Sequence, residues 1–309
     1  MDNKEFVLVE ISGEPKLKMR FYKPKADFKG ILVFVHGVSH GAWCWENFVN
    51  FFTEIGYACF ALNLCGHGDN DKHDIKGVLL SDYVIDVIRC IEYIENNHNN
   101  PEIDIPYSKP YIVGHSMGGS ITEKYISNFS HRVKGAVLLA PVTAEGMGII
   151  KILTTSFSLR GIRTSFTTFL ERKICLSKSN FFAVKNGLVC RTRISKEAIK
   201  NSKRLLCRES FKAMLGLRKF KLNNPNIPVF VIGSDKDAYF PTKSLNKTAD
   251  FYGTKPMVLR GLCHDVMLDS EWEKAAQSVL TFIERPDELK SNPEKFIDDL
   301  WGSIYPKGT

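Results

Sequence analysis

Residues 111–119 read Tyr111-Ile-Val-Gly-His-Ser-Met-Gly-Gly119. Three β-forming residues come first and a helical pattern follows the last glycine, which predicts a strand, a sharp turn and a helix with Ser116 at the apex. Gly114 and Gly118 have no Cβ, so strand and helix can approach closely and Ser116 can adopt a strained backbone. The pattern alone also fits a glycine-rich turn with a capping serine. The distinction depends on whether an acid, a base and an oxyanion donor occur where such a serine would need them.

The segments on either side of this turn alternate between strands and helices. A hairpin is predicted over residues 6–22, around Ser12-Gly-Glu-Pro15. The later strands are short apolar runs, as expected for strands covered on both faces, at residues 31–35, 57–64, 110–113, 135–140, 228–232 and 256–260. This order predicts an α/β protein with a mostly parallel, doubly wound sheet.

Two helix starts have recognisable capping signals. Ser81 is predicted to cap a helix that runs to about Asn96, with apolar residues at helical spacing along one face. Asn292-Pro-Glu294 predicts the start of a last helix, whose apolar residues we expect to dock on the body of the protein.

The strand pattern breaks between residues 144 and 222, which predicts a cap of short amphipathic helices inserted into a core formed by residues 1–143 and 223–309. The insertion carries 18 Lys and Arg against 4 Asp and Glu, a net charge of +14 in a chain whose total is +8. It also contains several phenylalanines, so it is either a solvated helical face or a surface that contacts anionic lipid or acidic head groups. No nucleic-acid-binding signature accompanies the charge.

A serine at such a turn needs a base, and the base needs a group to orient it. On this type of sheet the chain order is serine, acid, histidine, and Ser116, Asp237 and His264 follow that order, each just beyond a predicted strand. These three residues are therefore the predicted catalytic set, at the edge where parallel strands end. Asp235 is an alternative acid. Asp237 is preferred because Pro241 follows it in a D-x-x-x-P pattern.

The oxyanion of an acyl-transfer intermediate needs backbone donors. We assign them to the N–H groups of Met117, directly after the serine, and Val38, in the loop after the strand at 31–35. Three neighbours of that loop, His36, His40 and Trp43, either contact substrate or support the loop.

The composition leads us to expect a cytosolic protein. No basic-then-apolar signal follows Met1, and no apolar run approaches the ~20 residues of a membrane span. The eight cysteines include no Cys-x-x-Cys pair, so we expect free thiols and no cysteine-bound metal. Asp265 and Asp269 are expected to cap or flank the helix that follows them.

Several motifs together resemble the α/β-hydrolase superfamily, and the resemblance covers nearly all of the chain except the insertion and the tail. They are His36-Gly37, Gly41-Ala-Trp-Cys-Trp45, Gly66-His-Gly68, Gly114-His-Ser-Met-Gly-Gly119, Gly233-Ser-Asp-Lys-Asp237 and His264-Asp-Val-Met-Leu268. The chain is most similar to lysophospholipase, monoacylglycerol lipase and carboxylesterase-type members. The Gly41–Trp45 segment also resembles plant methylesterases and hydroxynitrile lyases.

The resemblance implies a serine hydrolase with a helical cap, and no metal or organic cofactor. We expect it to cleave a carboxylic ester of a medium or long acyl chain, with cytoplasmic or peripheral membrane localisation. The alternatives are a thioesterase, a methylesterase or a lyase that uses the same three residues, and a small-molecule receptor that keeps the fold without turnover.

Overall fold

The structure is a computed structural model that describes residues 6–70, 73–148, 173–175, 205–218 and 220–306. Eight strands form one sheet, namely β1 (Val7–Ile11), β2 (Leu17–Tyr22), β3 (Gly30–Val35), β4 (Tyr57–Leu62), β5 (Tyr111–His115), β6 (Gly135–Leu139), β9 (Val229–Ser234) and β10 (Met257–Leu259). Their spatial order is β1-β2-β4-β3-β5-β6-β9-β10. Strand β2 pairs antiparallel with both β1 and β4, and every other pairing in the sheet is parallel.

Helices cover both faces of this sheet. Their bounds are α1 (Glu46–Glu54), α2 (Leu80–Asn97), α3 (Met117–Phe129), α4 (Phe211–Leu215), α5 (Thr242–Phe251), α6 (Trp272–Glu284), α7 (Pro286–Ser291) and α8 (Pro293–Ile304). One hydrophobic cluster joins the sheet to α2, α3 and α5. A second joins its other face to α1, α6, α7 and α8.

Strand β3 shows why both faces are covered. All six of its residues are buried. Ile31, Val33 and Val35 belong to the first cluster, whereas Leu32 and Phe34 belong to the second. Successive side chains of a strand point to opposite faces, so a continuous apolar run requires helices on both sides. The predicted doubly wound, mostly parallel sheet is therefore confirmed.

Two capping predictions have different outcomes. The last helix begins as predicted, because the Asn292 side chain accepts the Lys295 N–H at 3.1 Å. The Ser81 prediction is wrong, since helix α2 already begins at Leu80. The Asp82 carboxylate accepts the Leu79 N–H at 2.8 Å. The capped position is therefore Leu79, two residues before Ser81.

The predicted cap, residues 144–222, lies largely outside the described residues. Within its described part, two short strands, β7 (Lys173–Cys175) and β8 (Arg208–Ser210), pair antiparallel, where the sequence predicted helices only. Helix α4 follows β8 directly. Among the described residues, no helix has the length and apolar character needed to cross a bilayer.

The strand order creates a crevice at one edge of the sheet. Strand β3 pairs with β4 on one side and with β5 on the other, so the chain reverses its winding direction beside β3. In parallel sheets ligands bind beyond the carboxyl ends of the strands at such a switch point. The loops after β3 and β5 carry the predicted oxyanion donors and Ser116.

Candidate active site

Ser116 occupies a strained turn between β5 and α3. Its backbone has φ 54° and ψ −116°, a region that L-residues rarely adopt. The Ser116 N–H fixes the turn to the neighbouring strand, because it donates to the Leu139 carbonyl at the end of β6 at 2.9 Å. The predicted strand–turn–helix with the serine at its apex is present, and such strain is typical of functional positions.

Glycines make this turn sterically possible. A Cβ on Gly118 would lie 2.3 Å from the Val35 carbonyl oxygen, and one on Gly114 would lie 2.4 Å from the Gly118 oxygen. A Cβ on Gly37 would meet the Ser116 Cβ at 3.0 Å. The loop after β3 therefore packs directly against the serine turn, and only glycine fits at these contacts.

The two proposed oxyanion donors, Met117 and Val38, belong to the serine turn and to the loop that packs against it. Met117 is the first residue of α3, so its N–H has no partner within the helix. Val38 follows Gly37, the residue that touches the serine turn. Their role as oxyanion donors stays a prediction.

His264 and Asp237 form a buried pair at the same edge of the sheet. The His264 Nδ1 lies 2.8 Å from the Asp237 Oδ2, and both side chains are buried. The other Asp237 oxygen accepts the N–H groups of Tyr239 and Phe240 at 2.7 and 3.0 Å. Burial alone would raise the pKa of Asp237, but His264 and these donors lower the pKa overall. Asp237 is thus held as a carboxylate that orients the imidazole.

The alternative acid, Asp235, lies elsewhere. Its side chain is exposed and accepts the Gly261 N–H at 2.6 Å, which ties the end of β9 to the loop after β10. Of the two candidates, the structure pairs only Asp237 with His264.

A second buried imidazole, that of His115, lies next to the His264–Asp237 pair. The rings of His115 and His264 have centroids 4.8 Å apart, which places the residue before Ser116 against the proposed base. The His115 Nε2 lies 3.1 Å from the His264 carbonyl oxygen. Burial, followed by electrostatic repulsion between the two imidazoles, lowers the pKa of His115 to about 3, so this ring is neutral at physiological pH.

Asp265 pairs with His40. Its Oδ2 lies 3.3 Å from the His40 Nε2, and both side chains are buried. Asp265 flanks the short 3-10 helix Val266–Leu268, as predicted, but its carboxylate does not cap that helix and faces the loop after β3 instead. Asp269 does flank helix α6, and its side chain accepts the Glu271 N–H at 3.2 Å.

The donor atoms of His115, His264 and Asp265 lie within 4.8 Å of one another, a spacing that could hold a metal ion. Two of them are already engaged, since Asp265 faces His40 and the His264 Nδ1 bonds Asp237. The buried His115 Nδ1 and Asp265 Oδ1 are not satisfied in this way, since neither atom has a hydrogen-bond partner among the described residues.

The three predicted substrate contacts are all buried at the loop after β3. His36 bonds to the Gly37 carbonyl oxygen at 2.9 Å and accepts the Leu64 N–H at 3.2 Å, which joins the loops after β3 and β4. His40 bonds the Val38 carbonyl oxygen at 2.7 Å and stacks on Trp43 with ring centroids 5.3 Å apart. These contacts are those of a support for the loop, the second role named for them above.

Sequence reasoning missed two carboxylates near the site, Asp265 and Glu209. Glu209 lies in β8 and bonds the Ser39 N–H, 170 residues away in the chain. The available signal was weak: Asp265 is adjacent to His264, and Glu209 is one of four acidic residues in a basic insertion.

The cysteines follow the prediction only in part. Five of those described are free, namely Cys44, Cys59, Cys65, Cys90 and Cys207. Cys263, directly before His264, is disulfide-bonded, so the expectation of free thiols throughout is wrong for this residue.

Comparisons with known proteins identify a family and related esterases. The family described as serine aminopeptidase, S33 (Hydrolase_4) matches residues 26–271. A probable esterase, PIR7A of Oryza sativa subsp. indica, is 28% identical over 48% of this chain and 51% of its own length. The pFDCC methylesterase MES16 of Arabidopsis thaliana is 29% identical over 35% of this chain and 37% of its own. The chain thus spans about half, or less, of the length of these relatives.

Solved structures share the fold over most of the chain. A thermophilic esterase from Thermogutta terrifontis superposes with a TM-score of 0.69 at 14% identity, covering 91% of this chain and 99% of that one. A bromoperoxidase from Bacillus anthracis gives 0.67 at 18%, covering 90% and 99%. Because the family match spans well over half of the chain and the sheet has the same architecture, the protein belongs to the S33 serine aminopeptidase family of α/β hydrolases.

Proposed function

We propose that this protein is a serine hydrolase that cleaves a carboxylic ester through Ser116, His264 and Asp237. The observation that carries the proposal is the position of Ser116, at a strained turn on the same sheet edge as the buried His264–Asp237 pair. The serine turn contacts the His264–Asp237 pair through His115, which precedes Ser116 and packs on the His264 ring.

The chemistry follows from these positions. His264 uses Nδ1 for Asp237, which leaves Nε2 to take the Ser116 proton as Oγ attacks the ester carbonyl. The N–H groups of Val38 and Met117 then stabilise the oxyanion. The protonated imidazole gives its proton to the departing alcohol. Water deprotonated by His264 then attacks the acyl-serine and releases the acid.

A medium or long acyl chain is the proposed substrate class. The support is the resemblance to lysophospholipases and monoacylglycerol lipases and the phenylalanines of the insertion at 144–222. The same insertion carries a net charge of +14, so we also propose that it contacts anionic lipid or acidic head groups when substrate is presented on a membrane.

A second candidate is a methylesterase, favoured by two relatives. One is the pFDCC methylesterase named above, and another is described as methyl jasmonate esterase 1 of Vitis vinifera. The Gly41–Trp45 segment resembles the same plant enzymes. In this case the acyl part would be a larger acid and the alcohol would be methanol. Thioester cleavage and lyase chemistry with the same three residues are further outcomes of the test.

A substrate series separates these candidates. We expect p-nitrophenyl esters to be hydrolysed faster as the acyl chain lengthens from two to about twelve carbons, with a monoacylglycerol and a lysophospholipid as physiological-type substrates. Methyl esters and thioesters of the same acids complete the series. A second arm presents the lysophospholipid on vesicles with and without an anionic lipid, at low and high salt.

Ser116→Ala is the matched control for every substrate. It removes only the nucleophilic oxygen, so we expect turnover to fall by at least about a thousandfold while the protein stays folded. Hydrolysis by this variant at the wild-type rate would refute the proposal. Faster cleavage of methyl esters than of long acyl esters would favour the methylesterase alternative, and absence of an anionic-lipid effect would refute the membrane contact.

A further inference from the structure

Glu209 is a fully buried carboxylate that joins four parts of the chain. Its Oε2 accepts the Ser39 N–H at 3.1 Å and lies 3.0 Å from the His67 Nε2. Its Oε1 accepts the Tyr83 hydroxyl and the Ser210 N–H, both at 2.8 Å. The loops after β3 and β4, helix α2 and strand β8 therefore all meet at one side chain.

The pair that Glu209 forms with His67 is ionic. The two His67 ring nitrogens lie 2.9 Å from the Cys65 carbonyl oxygen and 3.0 Å from Glu209, so both face acceptors and both carry protons. Burial alone would lower the pKa of His67, but the Glu209 charge raises the pKa overall. Burial alone would raise the pKa of Glu209, yet His67 and the other donors lower it. The charge is thus compensated within the site.

This carboxylate is bonded to the turn that carries a proposed oxyanion donor. The peptide between Val38 and Ser39 is held at both ends, since the His40 ring bonds its C=O at 2.7 Å and Glu209 accepts its N–H. Ser39 itself has φ 61°, an unfavourable backbone for a serine. The Ser39 C=O accepts the Cys207 N–H at 2.7 Å. The segment that contains Cys207 and Glu209 therefore bonds both the N–H and the C=O of Ser39.

We propose that Glu209, paired with His67, is a positioning residue that fixes the Val38–Ser39 turn so that the Val38 N–H meets the oxyanion. Glu209 lies in the segment where the chain returns from the insertion to the core, so the base of the insertion sets the geometry of the oxyanion site. The inference rests on the proposed ester hydrolysis at Ser116.

The carboxylate is needed rather than any polar group of the same shape. Each of its oxygens accepts a backbone N–H, from Ser39 and from Ser210. A glutamine has one oxygen and one NH₂ group, so whichever way it turns the NH₂ faces a backbone N–H donor. Glu209→Gln therefore keeps the size of the side chain but loses or distorts at least one of these bonds.

The test compares Glu209→Gln with Tyr83→Phe, which removes one bond to the same carboxylate but leaves its charge and its bond to Ser39. Loss of a whole oxyanion donor costs about a hundredfold to a thousandfold in kcat, so a displaced donor should cost roughly tenfold to a hundredfold. We expect Glu209→Gln to lower kcat on a p-nitrophenyl ester by that factor with KM within about threefold. We expect Tyr83→Phe to keep at least about half of the wild-type kcat.

Inhibition by an aliphatic trifluoromethyl ketone separates positioning from general damage. Its adduct with the serine carries an oxyanion, so its Ki should rise in Glu209→Gln by about the same factor as kcat/KM falls. Binding of the product acid, which needs no oxyanion, should stay within about threefold. Wild-type kcat in folded Glu209→Gln, a loss equal to that of Tyr83→Phe, or an unchanged Ki despite lower kcat would overturn the inference.

If Glu209→Gln does not fold, His67→Gln gives the same test, because it keeps a donor to Glu209 while removing the positive charge. A fall in kcat with a parallel rise in Ki supports the inference, and wild-type values overturn it. Failure of the proposed function is distinguishable, since it would appear as undiminished turnover in Ser116→Ala rather than as a change confined to these variants.

Discussion

Two buried aspartates show how single residues set their own charge in this protein. Asp237 receives a histidine and two backbone N–H groups, and its pKa is lowered despite burial. Asp86 in α2 is also buried, and burial raises its pKa to about 6, although its carboxylate accepts the Cys65 N–H at 2.8 Å. The first aspartate is held as a carboxylate beside His264. The second lowers stability at neutral pH.

Replacing Asp86 should therefore stabilise the protein at neutral and alkaline pH. Above about pH 6 the wild-type carboxylate is charged in both the folded and unfolded states and carries the burial cost. A shift from 3.8 to about 6 corresponds to no more than about 3 kcal/mol. Asp86→Asn keeps an acceptor for Cys65 and removes that cost, and its gain should shrink as pH falls through 6 and vanish below about 4.

Urea unfolding of both proteins between pH 4 and pH 8 measures this difference in free energy of unfolding. A gain that does not vary with pH, or a loss at pH 8, would contradict the assigned cost. Cys65 remains bonded in both proteins if the asparagine oxygen faces its N–H.

At the scale of elements, the serine turn depends on backbone-to-backbone contact between α3 and β3. A Cβ on Gly118 would lie 2.3 Å from the Val35 oxygen and 2.5 Å from the His36 oxygen. Neither neighbour is a flexible side chain, so α3 would have to move away from the strand. Both the serine turn and the adjacent loop after β3 would then shift.

Gly118→Ala should lower both stability and activity. Overpacking of this kind costs about 1–3 kcal/mol of stability. Displacement of Ser116 relative to the proposed oxyanion donors should reduce kcat at least about tenfold. Gly302→Ala is the matched control, because Gly302 is exposed in helix α8 with nothing within 4 Å of an added Cβ. There alanine should add up to about 1 kcal/mol. Thermal unfolding and ester hydrolysis of both variants check this, and a fully stable and active Gly118→Ala would contradict the assigned packing.

The strands and most helices could be predicted from sequence because local patterns determine them. Apolar runs such as Ile31–Val35 and caps such as Asn292 act over a few residues. Ser81 misled because Asp82 offered a better reciprocal bond. Strands β7 and β8 depend on pairing between distant three-residue segments, which no periodicity reveals.

The candidate site likewise contains residues that the sequence predicts and contacts that only the fold reveals. Ser116 was identifiable from the turn residues around it. Asp237 and His264 were identifiable from their positions after predicted strands and from the order of the three residues in the chain. The choice of Asp237 over Asp235 became clear only from the 2.8 Å contact with His264. The bonds of Glu209 to Ser39 and of Asp265 to His40 join residues that the fold alone brings together.

For the whole molecule, the central property is the convergence of loops at one edge of a sheet covered on both faces. The reversal of strand order beside β3 brings the loops after β3 and β5 together, and the loops after β9 and β10 carry Asp237 and His264. The helices on the second face, including α8 with Phe296 and Leu300, pack against this sheet in one hydrophobic cluster.

The most direct test of the account is covalent labelling by a fluorophosphonate, followed by mass spectrometry of the intact protein and its peptides. We expect one adduct on wild-type protein, located at Ser116 and absent from Ser116→Ala. His264→Gln should react at least about a hundredfold more slowly, because the serine loses its base. An adduct that persists in Ser116→Ala, or labelling of His264→Gln at the wild-type rate, would contradict the claim that His264 activates Ser116.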